Sequence, residues 1–209
     1  MRPKEDFEKM LFHLLEELYH LNSYHLLYKY LYEKTSDHDD LSTMNKIPSF
    51  FQLSMGAFQY SSIMGLAKLY EPSSRKTVNL NKFLNIVEGF HTEIFSNDPD
   101  IKKRLGRTTN VNSDTVRKHK NELNEQEKII KRLLAWRDKF FAHNDKKYFY
   151  NKNVVSKEFP INFYEYEQLI TLAADILNTY SIGYSGKYHD IKACNIYDVD
   201  ILFKALKKN

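Results

Sequence analysis

The chain has 209 residues, a mean hydropathy of −0.58 and a net charge of +4. That is enough for one domain to bury roughly 70% of its unfolded surface without a metal or disulfide staple. The single cysteine, Cys194, has no partner for an intramolecular disulfide and no Cys or His cluster around it, which argues against structural zinc and fits a reducing compartment. Met1-Arg2-Pro3-Lys4-Glu5-Asp6 is charged where a secretory signal would be apolar, and no apolar run reaches about 18 residues, so a cytoplasmic protein without membrane spans is expected.

The modest total charge hides an asymmetry. Residues 101–150 carry 14 Lys and Arg against 6 Asp and Glu, so the remainder is net acidic. A polyanion-binding face has this character, and so does an ordinary solvated helix face.

In chain order, Phe7, Met10, Leu11, Leu14, Leu15, Leu18 and Leu21 recur at three and four, predicting a long helix that continues to about Tyr32. The polar stretch 36–40 ends it. Ser49 with Gln52 forms a capping-box pattern for a second helix, with Phe51, Met55, Phe58, Leu66 and Leu69 near one face. Glu71-Pro72-Ser73-Ser74 closes that helix, and Asn79 or Asn81 opens a third through Phe83, Leu84, Val87 and Phe90, ending at Asn97-Asp98-Pro99. Residues 96–112 read as a basic, mobile loop. Ser113 or Asp114 caps a long fourth helix with no proline or glycine before Pro160, and Asn162 caps a fifth carrying Leu169, Ala173, Ile176 and Tyr180. Gly183 and Gly186 end the fifth helix, and a short terminal helix follows Asp198. The expected fold is therefore all-α: a single-domain bundle over 1–209 of about five long helices, with a core at about 5–185 and a C-terminal extension at 186–209.

The chemistry concentrates late in the fourth helix. One apolar stripe runs through Leu123, Ile130, Leu134 and Phe141, another through Ile129, Leu133, Trp136 and Phe140. Arg137 falls on the first stripe and His143 at the end of the second. A guanidinium on an apolar stripe costs several kcal/mol unless it is paired or opens into a polar cavity. Two readings follow: a buried structural ion pair, as with Asp138 of a partner helix, beside a His143 whose cation the helix-end dipole favours, or a cleft in which Arg137 and His143 act together on a phosphate. At about 100 degrees per residue the two lie roughly 120 degrees apart on a straight helix. Either the helix bends or ends near Ala142, or a second chain completes the site about a two-fold axis.

The run Trp136-Arg137-Asp138-Lys139-Phe140-Phe141-Ala142-His143-Asn144-Asp145 resembles the HEPN signature, an arginine and a histidine separated by four to six residues, with a polar residue directly after the arginine. Together with Leu66-Ala67-Lys68-Leu69-Tyr70-Glu71 and Leu80-Asn81-Lys82-Phe83-Leu84, it looks most like the AbiU2-like branch associated with abortive phage infection. The resemblance spans about residues 5–185.

It implies a homodimer that cuts RNA without a metal or other cofactor and leaves a cyclic phosphate. Arg137 would steady charge on the phosphate, His143 would transfer protons, and Asp138 would orient one of them. Lys139, Lys146 and Lys147 would contact flanking phosphates, and an antitoxin or regulatory protein is a further expected partner. In HEPN toxins silenced by nucleotide transfer a tyrosine commonly stands two positions after the histidine. Asp145 stands there here, which argues against that form of control, although Tyr148 and Tyr150 are close in sequence. The second reading is a catalytically silent HEPN-like module that binds RNA, a nucleotide or a protein. Neither a His-Glu-x-x-His zinc motif nor a glycine-rich phosphate loop occurs, and His13, His20 and His25 on the first helix have spacings that suit structural or solvated roles.

Overall fold

The computed structural model describes residues 3–72, 77–95, 103, 110–142, 147, 152–192 and 195–208, and all secondary structure among them is helical. Helix α1 (Pro3–Lys34) is the central element, burying Phe7, Leu14, Leu18 and Leu21 along the predicted stripe. It packs along α3 (Pro48–Tyr70) and also meets α4 (Leu80–Ile94) and α8 (Phe163–Ser185). The approach to α3 is close because Gly65 has no side chain: a Cβ there would lie 2.9 Å from Leu21 Cβ.

Several element boundaries differ from expectation for local reasons. The polar stretch after α1 contains a short helix, α2 (His38–Met44), because the Asp37 carboxylate accepts from the Asp40 backbone N–H and starts a new turn. The expected Ser49 capping box does not form. Pro48, with φ preset for a first helical position, begins α3 two residues earlier and places Ser49 inside it; Ile47 provides no side-chain cap. At α4, Asn79 is the cap, with Asn81 donating to the Glu71 carbonyl at 3.1 Å. The fourth helix is capped by Asn112, reciprocally with Thr115, and Ser113 is its first residue.

The long fourth helix is not continuous. A single i→i+3 turn at Gln126 divides α5 (Ser113–Glu125) from α6 (Glu127–Trp136), and the winding then widens to a π-helical turn, Arg137–Ala142. Helix α7 (Lys152–Glu158) follows. Asn162 caps α8 as expected, with a full capping box to Glu165. Gly186, in the left-handed conformation at φ 72°, ends α8, whereas Gly183 is buried within the helix. The expected stop of α4 at Asn97-Asp98-Pro99, most of the basic loop at 96–112, and Cys194 lie outside the described residues.

Two apolar clusters result. The larger joins α1, α3, α4, α5, α6 and α8 around Phe7, Phe83, Leu133 and Tyr180. The smaller consists of Leu31, Met44, Phe51 and Phe203, and is closed by α9 (Asp198–Lys208). The C-terminal segment is pinned to the bundle: Asn22 donates to the Ile191 carbonyl at 2.7 Å, and the Asn178 side chain both donates to the His189 carbonyl and accepts its N–H. Among the described residues no helix is long and apolar enough to cross a membrane.

Candidate functional site

The π-helical turn presents Arg137. In an i→i+5 turn the side chains on one face are more widely spaced than in an α-helix, so Trp136 meets both Phe140 and Phe141, at ring separations of 5.6 and 6.2 Å. Phe141 also meets Tyr60 of α3 edge-on at 5.4 Å. The Trp136 indole N–H donates to the Phe159 carbonyl at 2.7 Å. The turn is thus wedged between α3 and the segment leading to α8, and such π insertions frequently occur at functional sites.

Arg137 is held from two sides. Its Nη1 donates to the Glu71 carboxylate at the C-terminal end of α3, and its Nε donates to Asp138 Oδ1 at 2.6 Å. The Arg137 side chain is 16% exposed, Glu71 26% and Asp138 48%. The guanidinium is therefore neither sealed in the core nor free on the surface. An ion pair is present, formed by Asp138 of the same turn rather than of a partner helix and, across the bundle, by Glu71. In the sequence Glu71 is an acid at a helix end before Pro72 and the last residue of the Leu66–Glu71 segment; neither signal gives it a partner, because a contact 66 positions away has no periodic signature.

His143 and Lys146 lie outside the described residues, as do Asn144 and Asp145. Lys139 holds its ammonium 5.0 Å from the Phe159 ring centroid, and Lys147 pairs with Glu158 of α7. Much of the basic stretch is similarly engaged. Lys120 pairs with Glu88, Arg132 with Glu165, and Arg117, Lys118 and Lys131 with acids on their own helices. The sequence excess of positive charge is thus partly matched by carboxylates from the acidic remainder of the chain. Among the described residues no three His, Cys, Asp or Glu side chains gather as metal ligands would.

The three histidines of α1 divide as their positions require. His13 and His20 are exposed; His25 is 4% exposed, stacked on Tyr166 at 4.6 Å, with Nε2 3.2 Å from Glu167 Oε1. Burial pushes its pKa down, against the opposing pull of Glu167. Lys29 contacts the same carboxylate at 2.7 Å; burial raises the Glu167 pKa, but the hydrogen bonds from Lys29 and His25 outweigh it and hold the group below its usual value.

The family model for AbiU2 of the HEPN class matches residues 4–202, nearly the whole chain. No curated protein and no solved structure matches it. The match takes in the all-helical bundle, the Arg137 turn and the Glu71 that braces it, and the chain belongs to the AbiU2 family of HEPN proteins, an abortive-infection type of HEPN module.

Proposed function

We propose that the chain is a metal-independent endoribonuclease of anti-phage defence, with Arg137 and His143 acting at an interface between two copies. The observation that carries this reading is the bracing of Arg137: a partly exposed guanidinium on a π-helical turn, held by Glu71 and Asp138, a few residues before His143. In the reaction the ribose 2'-oxygen attacks the adjacent phosphorus, the bond to the 5'-oxygen breaks, and the products are a 2',3'-cyclic phosphate and a 5'-hydroxyl. His143 from one copy takes the 2'-hydroxyl proton and His143 from the other gives a proton to the leaving oxygen. Imidazole suits both tasks because it titrates near neutrality, and such proton transfers are worth about 10²- to 10⁴-fold. Arg137 stabilises the charge that builds on the phosphoryl oxygens.

The surface of α3 supports a second copy as partner. From Ile47 to Ala67 the chain has no charged residue. Phe50, Leu53, Ala57 and Tyr60, spaced at three and four, form an exposed apolar stripe on α3, with Leu53 75% exposed. Tyr60 touches Phe141, so a copy docked on this stripe lies against the Arg137 turn.

The silent-module reading draws on the same pairing, since two carboxylates already engage the guanidinium. The experiment that decides is RNA cleavage in EDTA by wild type, Arg137→Ala and His143→Ala, with product ends analysed. Cyclic phosphate ends that vanish in both variants are expected; RNA left intact by wild type across several substrates would move the assignment to a binding module.

A further inference from the structure

Next to the Arg137 turn, α1, α3, α6, α7 and the start of α8 line a half-open cavity of about 430 Å³, within the usual range for small-ligand sites. Its walls are the rings of Tyr28, Tyr32, Trp136, Phe163 and Tyr166. The rings brace one another: Tyr32 and Tyr28 lie 5.6 and 6.1 Å from Phe163. The Trp136 N–H is taken by Phe159, which fixes the indole plane.

Among the described residues the lining includes no Asp, Glu, Lys or Arg, and its one histidine, His25, directs Nε2 to Glu167 at 3.2 Å. The other polar groups are hydroxyls and amides. The Ser62 and Tyr166 hydroxyls bond each other at 2.6 Å, and the Gln59 amide N–H donates to Tyr28 Oη at 3.3 Å, leaving the Gln59 carbonyl oxygen without a partner among the described residues. These features select a ligand. A cation would want a carboxylate in the cage, and the Lys29 ammonium already lies 6.0 Å from the Phe163 ring centroid. A purely aliphatic ligand would leave Gln59 unused. A flat, uncharged ring with a hydrogen-bonding edge satisfies both walls and amide, because stacking on aromatic faces tolerates any base while an amide reads the edge.

We propose that this cavity receives a nucleobase, stacked among Tyr32, Trp136 and Phe163 and read at its edge by Gln59. Trp136 directly precedes Arg137, so in an RNA substrate the base in the cavity belongs to a nucleotide near the phosphate that Arg137 engages. The choice of RNA as the source of the base rests on the ribonuclease reading; the cavity itself does not.

Trp136 is the only tryptophan of the chain and lines the cavity beside the Arg137 turn, so its fluorescence reports on both, and the Tyr32 and Gln59 variants tell them apart. The test is titration of the whole protein with adenosine, guanosine, cytidine and uridine monophosphates, and with a short single-stranded RNA. Saturable quenching with one base preferred is expected. Tyr32→Ala should weaken it about tenfold for every base, the usual cost of losing one stacking partner. Gln59→Leu should level the preference while retaining quenching. Saturation by monophosphates but not by RNA would support the cavity and assign it to a free nucleotide. No saturable change with any probe, or quenching indifferent to both substitutions, would overturn the proposal. Arg137→Ala should abolish cleavage and keep the quenching, which separates the two readings. Quenching without any RNA cleavage by wild type sinks the ribonuclease alone, and cleavage without quenching or base preference sinks the cavity alone.

Discussion

Arg137 illustrates how one residue can be both structural and chemical. Its two carboxylate partners offset the desolvation of a guanidinium that is largely withdrawn from water, and hydrogen bonds to charged groups are worth about 1.5–3 kcal/mol when only partly screened. Glu71→Ala should therefore lower stability by about 1.5–3 kcal/mol, read from the urea midpoint. In an Arg137→Met background the same change should cost much less, because the charge that needed Glu71 is gone; equal costs would mean the pair is not coupled. Among the described residues two histidines are buried, and they shape the pH dependence. His25 and His119 are both held below the ordinary 6.5, by burial first. For His25, Glu167 opposes and Lys29 reinforces; for His119, Glu122 opposes and Lys118 reinforces. Below 6.5 the unfolded chain binds protons that the folded chain resists, so this stability is complete above that pH and is lost as pH falls through the native values. The melting temperature should drop between about pH 7.5 and about pH 5.5. His119→Gln, which retains an amide for the Tyr180 hydroxyl now 2.9 Å from Nδ1, should flatten that drop. Glu165 and Glu167, also held low in the fold, add a further loss in more acid solution.

At the scale of elements, the contact of α1 with α3 depends on one missing methyl group. Alanine is the better helix former by about 1 kcal/mol, yet Gly65→Ala puts a Cβ 2.9 Å from the Cβ of Leu21, an atom that can yield only if the helices separate. The expected net is a destabilisation of about 1–2 kcal/mol. Gly89→Ala on the exposed face of α4, where a Cβ meets nothing within 4 Å, should instead stabilise by about 0.5–1 kcal/mol. Chemical denaturation of the two variants side by side tests the sign of each. The widened turn at Arg137–Ala142 lets neighbouring aromatics share one side and directs Arg137 towards Glu71.

The whole molecule is closed by its C-terminus. Phe203 of α9 is 3% exposed and meets Phe51 at 5.5 Å, while Lys207 and Lys34 both reach Asp40 and the Tyr30 hydroxyl donates to Asp200. Phe203→Ala should cost about 3–5 kcal/mol, as large-to-small changes at buried aromatics do, measured by denaturant unfolding. The exposed stripe on α3 bears on assembly. Leu53→Glu places a carboxylate in an uncharged apolar face, so sedimentation should find wild type as a dimer and this variant as a monomer with an unchanged helical spectrum. A monomeric wild type would remove the second copy from the proposed site.

Helical periodicity and the Asn79 and Asn162 caps were legible in the chain because they are local, whereas the caps expected at Ser49 and Ser113 or Asp114 fell to Pro48 and Asn112. The stripe of α1, the Asn162 cap and the terminal helix follow from residues three or four apart, and the all-helical class follows from them. The arginine–histidine spacing and the flanking segments likewise carried the family. Periodicity could not show the breaks at Gln126 and Arg137, since no proline or glycine marks them and the change of winding goes with packing against α3 and the segment before α8. Nor could it pair Arg137 with Glu71 or assemble an aromatic cavity from five helices. Local geometry determined the elements; which distant side chains share a space was decided only when those elements packed, because burial brings together residues that are far apart in the chain.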